Sequence, residues 1–245
     1  MERYAIISDV HGNLTALNAV LNDIEKRGVS KIICLGDIAG KGPRSAEAID
    51  IIREKCSVVV KGNWDYFLTH VTDSETIWWH RRQIGADREA YLDTLPNYYE
   101  ISVSGYLLRL CHAAPNDIFY RVHLTTDNEK RIKLFEETPT LPYFSDIVGY
   151  GDIHGAYVDS IGDKVLFNVG SVGNPLDFNV ASYAIVEGDF EEEWQPNLNK
   201  SAYGISICRV PYDVEVEIMV AEEMSMPELL DYSNELRTAV YRGRK

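Results

Sequence analysis

The sequence predicts an α/β protein in which two β-sheets pack together and helices flank them. Three observations predict this class. The first sixty residues alternate short apolar runs with helical periodicity, the order of a parallel sheet with right-handed crossovers. Many further strand-like runs follow, with helical stretches at intervals. No composition break, repeat or low-complexity tract divides the 245 residues, which read as one domain, 1–245.

Tyr4-Ala5-Ile6-Ile7 is the first apolar run. Asn13 can cap a helix whose Leu14, Leu17, Val20, Leu21 and Ile24 keep helical spacing up to Gly28. Residues 31–35 read as a second strand, 45–55 as a helix and 57–60 as a third strand. From Trp64 to Leu95 the pattern is helical and aromatic. Strands are expected at 99–103 and 106–111, a helix at 127–137, and strands at 147–148, 165–169, 182–186 and 205–210. The alternation at 214–220 predicts a hairpin partner strand. A closing helix is expected over 227–241, with Pro227 at its start. Two helical insertions, about 65–97 and 116–146, are placed to flank a cleft.

The bulk numbers narrow the function. A net charge of −14 disfavours stable nucleic-acid or anionic-membrane binding. No apolar run approaches the ~20 residues of a membrane span. Met1-Glu2-Arg3 leads straight into a strand pattern, so no signal peptide is expected. The four cysteines form no C-x-x-C pair, and the expected setting is a reducing cytoplasm. An acidic protein that acts on phosphates needs local positive charge, from arginines or metal.

Five apolar runs end in metal-type residues: Asp9 and His11 after the first, Asp37 after the second and Asn63 after the third. The run 107–111 delivers His112, and 147–148 is followed by Asp152 and His154. Ligands bind beyond the carboxyl ends of strands in α/β sheets, where five such endings converge. A lone strand-end Asp caps a helix as readily as it binds metal. The ordered set is much harder to assign to chance. Asp, Asn and His together suit Mn, Fe or Zn better than Ca or a thiolate site.

The ordered motifs D-x-H, G-D, G-N, His and G-x-x-H resemble those of the calcineurin-like metallophosphoesterase superfamily. The stretch NVGSVGNP at 168–175 resembles the G-S-V-G-x-P segment of its bacterial phosphodiesterase branch. The resemblance covers about residues 4–186. It implies a four-layer αββα sandwich of two mixed β-sheets flanked by helices, and two divalent metal ions. Asp9, His11 and His154 match the ligands of one metal, Asp37 the bridging carboxylate, and Asn63 and His112 ligands of the second. Asp37, Asn63 and His112 would position metal and phosphate for attack by a hydroxide held between the ions.

Two positions depart from that pattern. Asp152 stands where a second-metal histidine is expected, and as a ligand its harder oxygen favours Mn or Fe over Zn. Trp64 follows Asn63 where the family carries a histidine that helps the leaving group. Indole is no general acid at neutral pH, and losing such an acid costs ~10²–10⁴-fold when the leaving group needs a proton. A leaving phosphate needs none, so Trp64 argues for phosphoanhydrides and other good leaving groups. His123 or His80 is the alternative source of a proton. The pairing of G-N-W-D with G-D-I-H is similar to a Gram-positive branch that hydrolyses ATP, diadenosine polyphosphates and phosphodiesters. The implied partner is a small phosphate ester or nucleotide, with Trp64, Arg81, Arg82 and Arg121 as candidate contacts. The alternatives are a phosphomonoesterase or nuclease with the same metals, or a non-catalytic scaffold member of the fold.

Overall fold

The expected opening is present in the computed structural model, which describes residues 1–243. Arg244 and Lys245, the end of the expected domain, lie outside the described residues. Strands β1 (Glu2–Ile7), β2 (Lys31–Cys34) and β3 (Val58–Val59) run parallel, joined by α1 (Leu14–Lys26) and α2 (Ser45–Lys55). Asn13 caps α1, its side chain accepting from the Ala16 N–H at 2.9 Å. Then come α3 (Asn63–Thr69), α4 (Glu75–Thr94), β4 (Tyr98–Val103), β5 (Tyr106–Cys111) and the short α5 (Asn128–Arg131). The second half contains β6 (Ile147–Tyr150), β7 (Tyr157–Ile161), β8 (Lys164–Asn168), β9 (Ala181–Gly188), β10 (Phe190–Glu191) and β11 (Gly204–Val210). Helices α6 (Val214–Glu223) and α7 (Leu229–Thr238) complete the chain.

One sheet has the order β11-β9-β1-β2-β3 and the other β10-β4-β5-β6-β8-β7, and both mix parallel and antiparallel pairs. They pack face to face. Tyr4, Ile6, Ile33 and Leu35 of the first meet Ile101, Leu108, Leu110 and Phe167 of the second. The pleat sends Ala5 and Ile7 to the other side of β1, against Leu17 and Val20 of α1 and Ile49 and Ile52 of α2. A strand covered on both faces reads as a continuous apolar run rather than an alternating one, as YAII does. The far face of the second sheet, with Val148, Tyr150 and Leu166, is covered by Leu134 and Phe135. The result is the four-layer αββα sandwich. No helix among the described residues is long and apolar enough to cross a membrane.

Two expectations change in detail, and two strands were not expected. The helix expected at 127–137 is only α5 followed by a 3₁₀ turn, Ile132–Phe135. Strands β7 and β10 had no expectation. The hairpin strand expected at 214–220 is instead helix α6. The V-E-V-E alternation is outweighed by a helical cap, since the Asp213 side chain accepts from the Val216 N–H at 3.1 Å. Helical spacing then buries Glu217, Ile218 and Ala221 together. Glu217 is there for its charge, accepting from Thr15 Oγ1 at 2.6 Å and pairing with Arg44. Removing the cap by Asp213→Ala is expected to cost about 1 kcal/mol in urea denaturation. A strand at this place would leave the midpoint unmoved.

Candidate metal centre

The two sheets deliver their carboxyl ends to one place. Asp9 and His11 follow β1, Asp37 follows β2, and Asn63 follows β3 as the first residue of α3. From the second sheet come His112 after β5, and Asp152 and His154 after β6. All seven are buried. Five of them, Asp9, His11, Asp37, Asp152 and His154, have left-handed backbone, with φ between 50 and 64°. Each such residue costs about 1–2 kcal/mol, and strain concentrated in one cluster is characteristic of functional sites.

Glycine lets the loops meet. A Cβ on Gly62 would lie 2.2 Å from Asp37 Oδ1, and one on Gly151 would lie 2.5 Å from Asp9 Oδ2. Asp9, His11 and His154 thereby bring ligand atoms within 4.8 Å of one another, and so do Asp9, Asp37 and His112. Asp37 turns one oxygen to each group, Oδ2 lying 3.6 Å from His11 Nε2 and Oδ1 3.5 Å from His112 Nε2. His112 Nδ1 donates to the Leu35 carbonyl at 2.9 Å, and His154 Nδ1 donates to that of Asn174. In the neutral rings both Nε2 lone pairs therefore face inward, the usual outer support of a metal-binding imidazole. His11 Nε2 and His154 Nε2 lie 3.2 Å apart, while Asp9 Oδ1 is buried without a hydrogen bond. Inward lone pairs and an orphaned carboxylate oxygen fit divalent cations.

The electrostatics agree. Burial, with Lys41 and His154 as neighbours, pushes His11 well below the usual histidine range. Burial alone would lower His112, but Asp37, Asp9, Asp152 and Asp65 raise it to about 9. Burial holds Asp37 well above the carboxylate range. Burial also opposes ionisation of Asp9, yet His154 and the other imidazoles hold that carboxyl low.

Asn63 and Asp152 lie beside the second group and are held differently. The Asn63 amide nitrogen donates to Asp152 Oδ1 at 2.8 Å and lies 3.3 Å from His112 Nε2. A half-turn of the amide brings its oxygen to the same place. Asp152 Oδ1 lies 3.8 Å from His112 Nε2. Both Asp152 oxygens are also held by Arg121, whose Nε and Nη2 donate at 2.8 Å. Burial disfavours the charged carboxyl, but this fork keeps its pKa low. Arg121 is 52% exposed and Asp152 2%, so the guanidinium reaches from the surface into the site.

A cavity of about 500 Å³ opens above the centre, lined by Asp37, Asn63, Asp152 and His154 and by Trp64, Arg121 and His123. The Trp64 N–H donates to Asp37 Oδ1 at 2.8 Å, and its ring lies edge-on to His11 with centroids 6.0 Å apart. Arg81 and Arg82 are not brought to this cavity. Arg81 is paired with Glu89 and donates to the His70 carbonyl at 3.1 Å, and Arg82 is exposed on α4. His80 is fully buried behind Trp64, with burial lowering it to about 4. His123 is thus the histidine of the two that reaches the cavity.

Several residues escaped the sequence reading. Asp65 accepts from the N–H groups of Asp37, Ile38 and Gly62 at 2.8, 3.1 and 2.9 Å, which fastens the Asp37 loop to α3. Ser171 Oγ donates to the Asp9 carbonyl at 2.8 Å. Asn174 supports His154 and accepts from Lys41 Nζ at 3.1 Å. Asp65 at the end of GNWD, and the GSVGN stretch, were the available signals for the first three. Lys41 had none.

Carboxylates and imidazoles at strand ends of two mixed sheets define a metallohydrolase of the phosphoesterase class. Residues 3–190 match the calcineurin-like phosphoesterase superfamily domain, and the chain belongs to that superfamily. It is 32% identical over 257 residues to the uncharacterized protein MJ0912 of Methanocaldococcus jannaschii, covering 92% of this chain and 94% of that one. It is 25% identical over 200 residues to the phosphodiesterase YfcE of Escherichia coli K12, covering 77% and 89%. A metallophosphoesterase from Sphaerobacter thermophilus superposes with a TM-score of 0.74 at 26% identity, covering 97% of this chain and 100% of that one. A hypothetical protein of Pyrococcus horikoshii shares the fold, with a TM-score of 0.73 at 17% identity and full coverage of both chains.

With His112 raised to about 9, metal added to chelator-treated protein at neutral pH must displace its proton. Calorimetry of Mn binding in buffers of different ionisation enthalpy is expected to show proton release at pH 7.5. Apparent affinity should rise with pH and level off near 9. Binding with no proton released at pH 7.5 would contradict the ligand role of His112.

Proposed function

We propose that this protein is a dinuclear metal-dependent phosphoesterase that hydrolyses phosphodiester or phosphoanhydride bonds with good leaving groups. Nucleotide polyphosphates such as ATP or diadenosine tetraphosphate are the substrates it fits best. The observation that carries the reading is Trp64, an indole on the cavity wall beside the centre where the superfamily motif has an imidazole. The phosphodiesterase relative and the superfamily support phosphoester hydrolysis. Four free cysteines, three of them buried, support a cytoplasmic setting.

In this reading Asp9, His11 and His154 would hold one ion and Asn63, His112 and Asp152 the other, with Asp37 turned toward both groups. Two divalent ions there, Mn or Fe in preference to Zn, supply Lewis-acid charge and lower the pKa of a water toward ~7. The chain does the positioning. Asp65 and the Trp64 N–H fix Asp37, and carbonyl oxygens aim His112 and His154. Arg121 holds Asp152 and keeps Nη1 available to phosphoryl oxygens. Trp64, Phe67 and Ile77 form an apolar wall against which a base can stack. A volume of about 500 Å³ is in the range of nucleotide-sized ligands.

Asp152 is tested by metal. Asp152→Ala should lower Mn affinity and turnover together, and Asp152→His should keep binding while shifting preference toward Zn. Unchanged Mn content and rate in the alanine variant would make Asp152 only the partner of Arg121.

The missing acid is tested by a leaving-group series. Rates on the wild type should depend steeply on leaving-group pKa, with nitrophenyl diesters and nucleotide anhydrides turned over and alkyl monoesters hardly at all. Trp64→His should help poor leaving groups most. A shallow dependence that steepens in His123→Ala would show instead that His123 delivers the proton.

A further inference from the structure

We propose that Lys41 is a substrate-binding residue that contacts the phosphoryl group next to the scissile one, selecting phosphoanhydrides over simple diesters. This deepens the function proposed above and rests on it. The first support is position. Lys41 lines the cavity together with Asp37, Trp64 and His154. Its loop is pinned to the centre, since the Gly42 N–H donates to the His11 carbonyl at 2.8 Å. The Trp64 ring lies against the backbone of neighbouring Gly40. Lys41 therefore sits beside the position whose imidazole this chain has lost.

The second support is charge. Among the described residues five side chains with basic groups line the cavity: Lys41, Arg121, His123, Arg242 and the centre's own His154. The fork of Arg121 is taken by Asp152, and all three nitrogens of Arg242 serve Glu235 or Glu228. Lys41 Nζ has one neutral acceptor, Asn174 Oδ1 at 3.1 Å, and makes no ion pair among the described residues. An ammonium has three donors, so two remain for an anion in the cavity. Burial lowers its pKa, against the opposing fields of Glu235, Asp37 and Asp9, none of which pairs with it directly.

The third support is strain. Lys41 has φ 60°, a left-handed backbone that lysine adopts only at a cost and glycine adopts freely. Gly40 and Gly42 flank it, so the loop already tolerates glycine. A lysine kept there for the fold alone is unfavourable both in charge and in backbone. A diester brings one negative charge to the centre. An anhydride brings further charge on the adjoining phosphoryl group, and an unpaired ammonium beside the metals favours it.

The test compares Mn-loaded wild type, Lys41→Gln and Lys41→Gly on diadenosine tetraphosphate, ATP and bis-p-nitrophenyl phosphate. Both variants should retain the wild-type metal content. The thermal midpoint of Lys41→Gly should hold or rise, because its backbone strain is relieved. For the two anhydrides kcat/KM should fall about 10- to 100-fold, the range of one charge-assisted hydrogen bond, and for the diester by less than about threefold. Equal falls on all three substrates, loss of metal, or a lower midpoint in Lys41→Gly would overturn the proposal. If the wild type hydrolyses none of them, the proposed function fails separately. Lys41 is then judged by calorimetric binding of inorganic pyrophosphate to the Mn-loaded protein. Lys41→Gln should weaken pyrophosphate about 10- to 100-fold and orthophosphate less, and equal affinity for pyrophosphate would overturn the assignment.

Discussion

Three carboxylates and three imidazoles packed out of water are the constraint on which the rest of this structure depends. At an effective dielectric near 20, two like charges 4 Å apart repel by about 4 kcal/mol. Such groups stay together only if each is fixed from outside and a cation is shared within. The outside fixing is visible at nearly every member. Carbonyl oxygens hold His112 and His154, the Trp64 N–H holds Asp37, and Arg121 holds Asp152. The left-handed backbone at five of the seven residues adds to the cost. The loops can carry that cost because both sheets beneath them are buried on two faces and cannot relax with them.

How much of this was legible in the sequence follows from which interactions are local. The carboxyl ends of β1, β2, β3, β5 and β6 were legible, because each is an apolar run that stops at a ligand-type residue and a glycine. Their convergence was legible as well, since parallel strands point their ends the same way. The fork between Arg121 and Asp152 was not, because it joins positions thirty-one residues apart across an irregular segment. The alternation at 214–220 misled because it matches a strand period, while the deciding features were a cap at Asp213 and a buried Glu217 answering Arg44. Periodicity cannot reveal a charged residue buried for a distant partner. Arg81 and Arg82 were candidates by charge alone, and the fold gives Arg81 a partner in Glu89 and leaves Arg82 in solvent.

The segment KGNWD shows how tightly the tasks are divided. The Lys61 N–H donates to the Pro96 carbonyl at 2.7 Å, tying the strand end to the end of the α4 region. Gly62 allows Asp37 to approach, and Asn63 faces His112 and Asp152. Asp65 closes the loop back on three N–H groups. The Trp64 side chain makes no hydrogen bond to the centre among the described residues and touches it only through its ring edge, while its main chain serves Asp37. In the proposed reading this position can carry indole rather than imidazole without disturbing the residues around it.

The net charge of −14 then bears on how an anion reaches this site. Surface carboxylates repel a polyphosphate at long range, but at physiological ionic strength that field decays over about 8 Å. Charges inside the cavity are screened much less, because little water or salt lies between them and a bound ligand. Selection is therefore decided by the few groups lining the cavity rather than by the thirty-eight acidic residues of the chain. Among those groups the arginines are already neutralised by carboxylates, so they contribute directed hydrogen bonds more than net charge. Among the described residues Lys41 makes no ion pair, and with the candidate metal centre it remains to attract an anion.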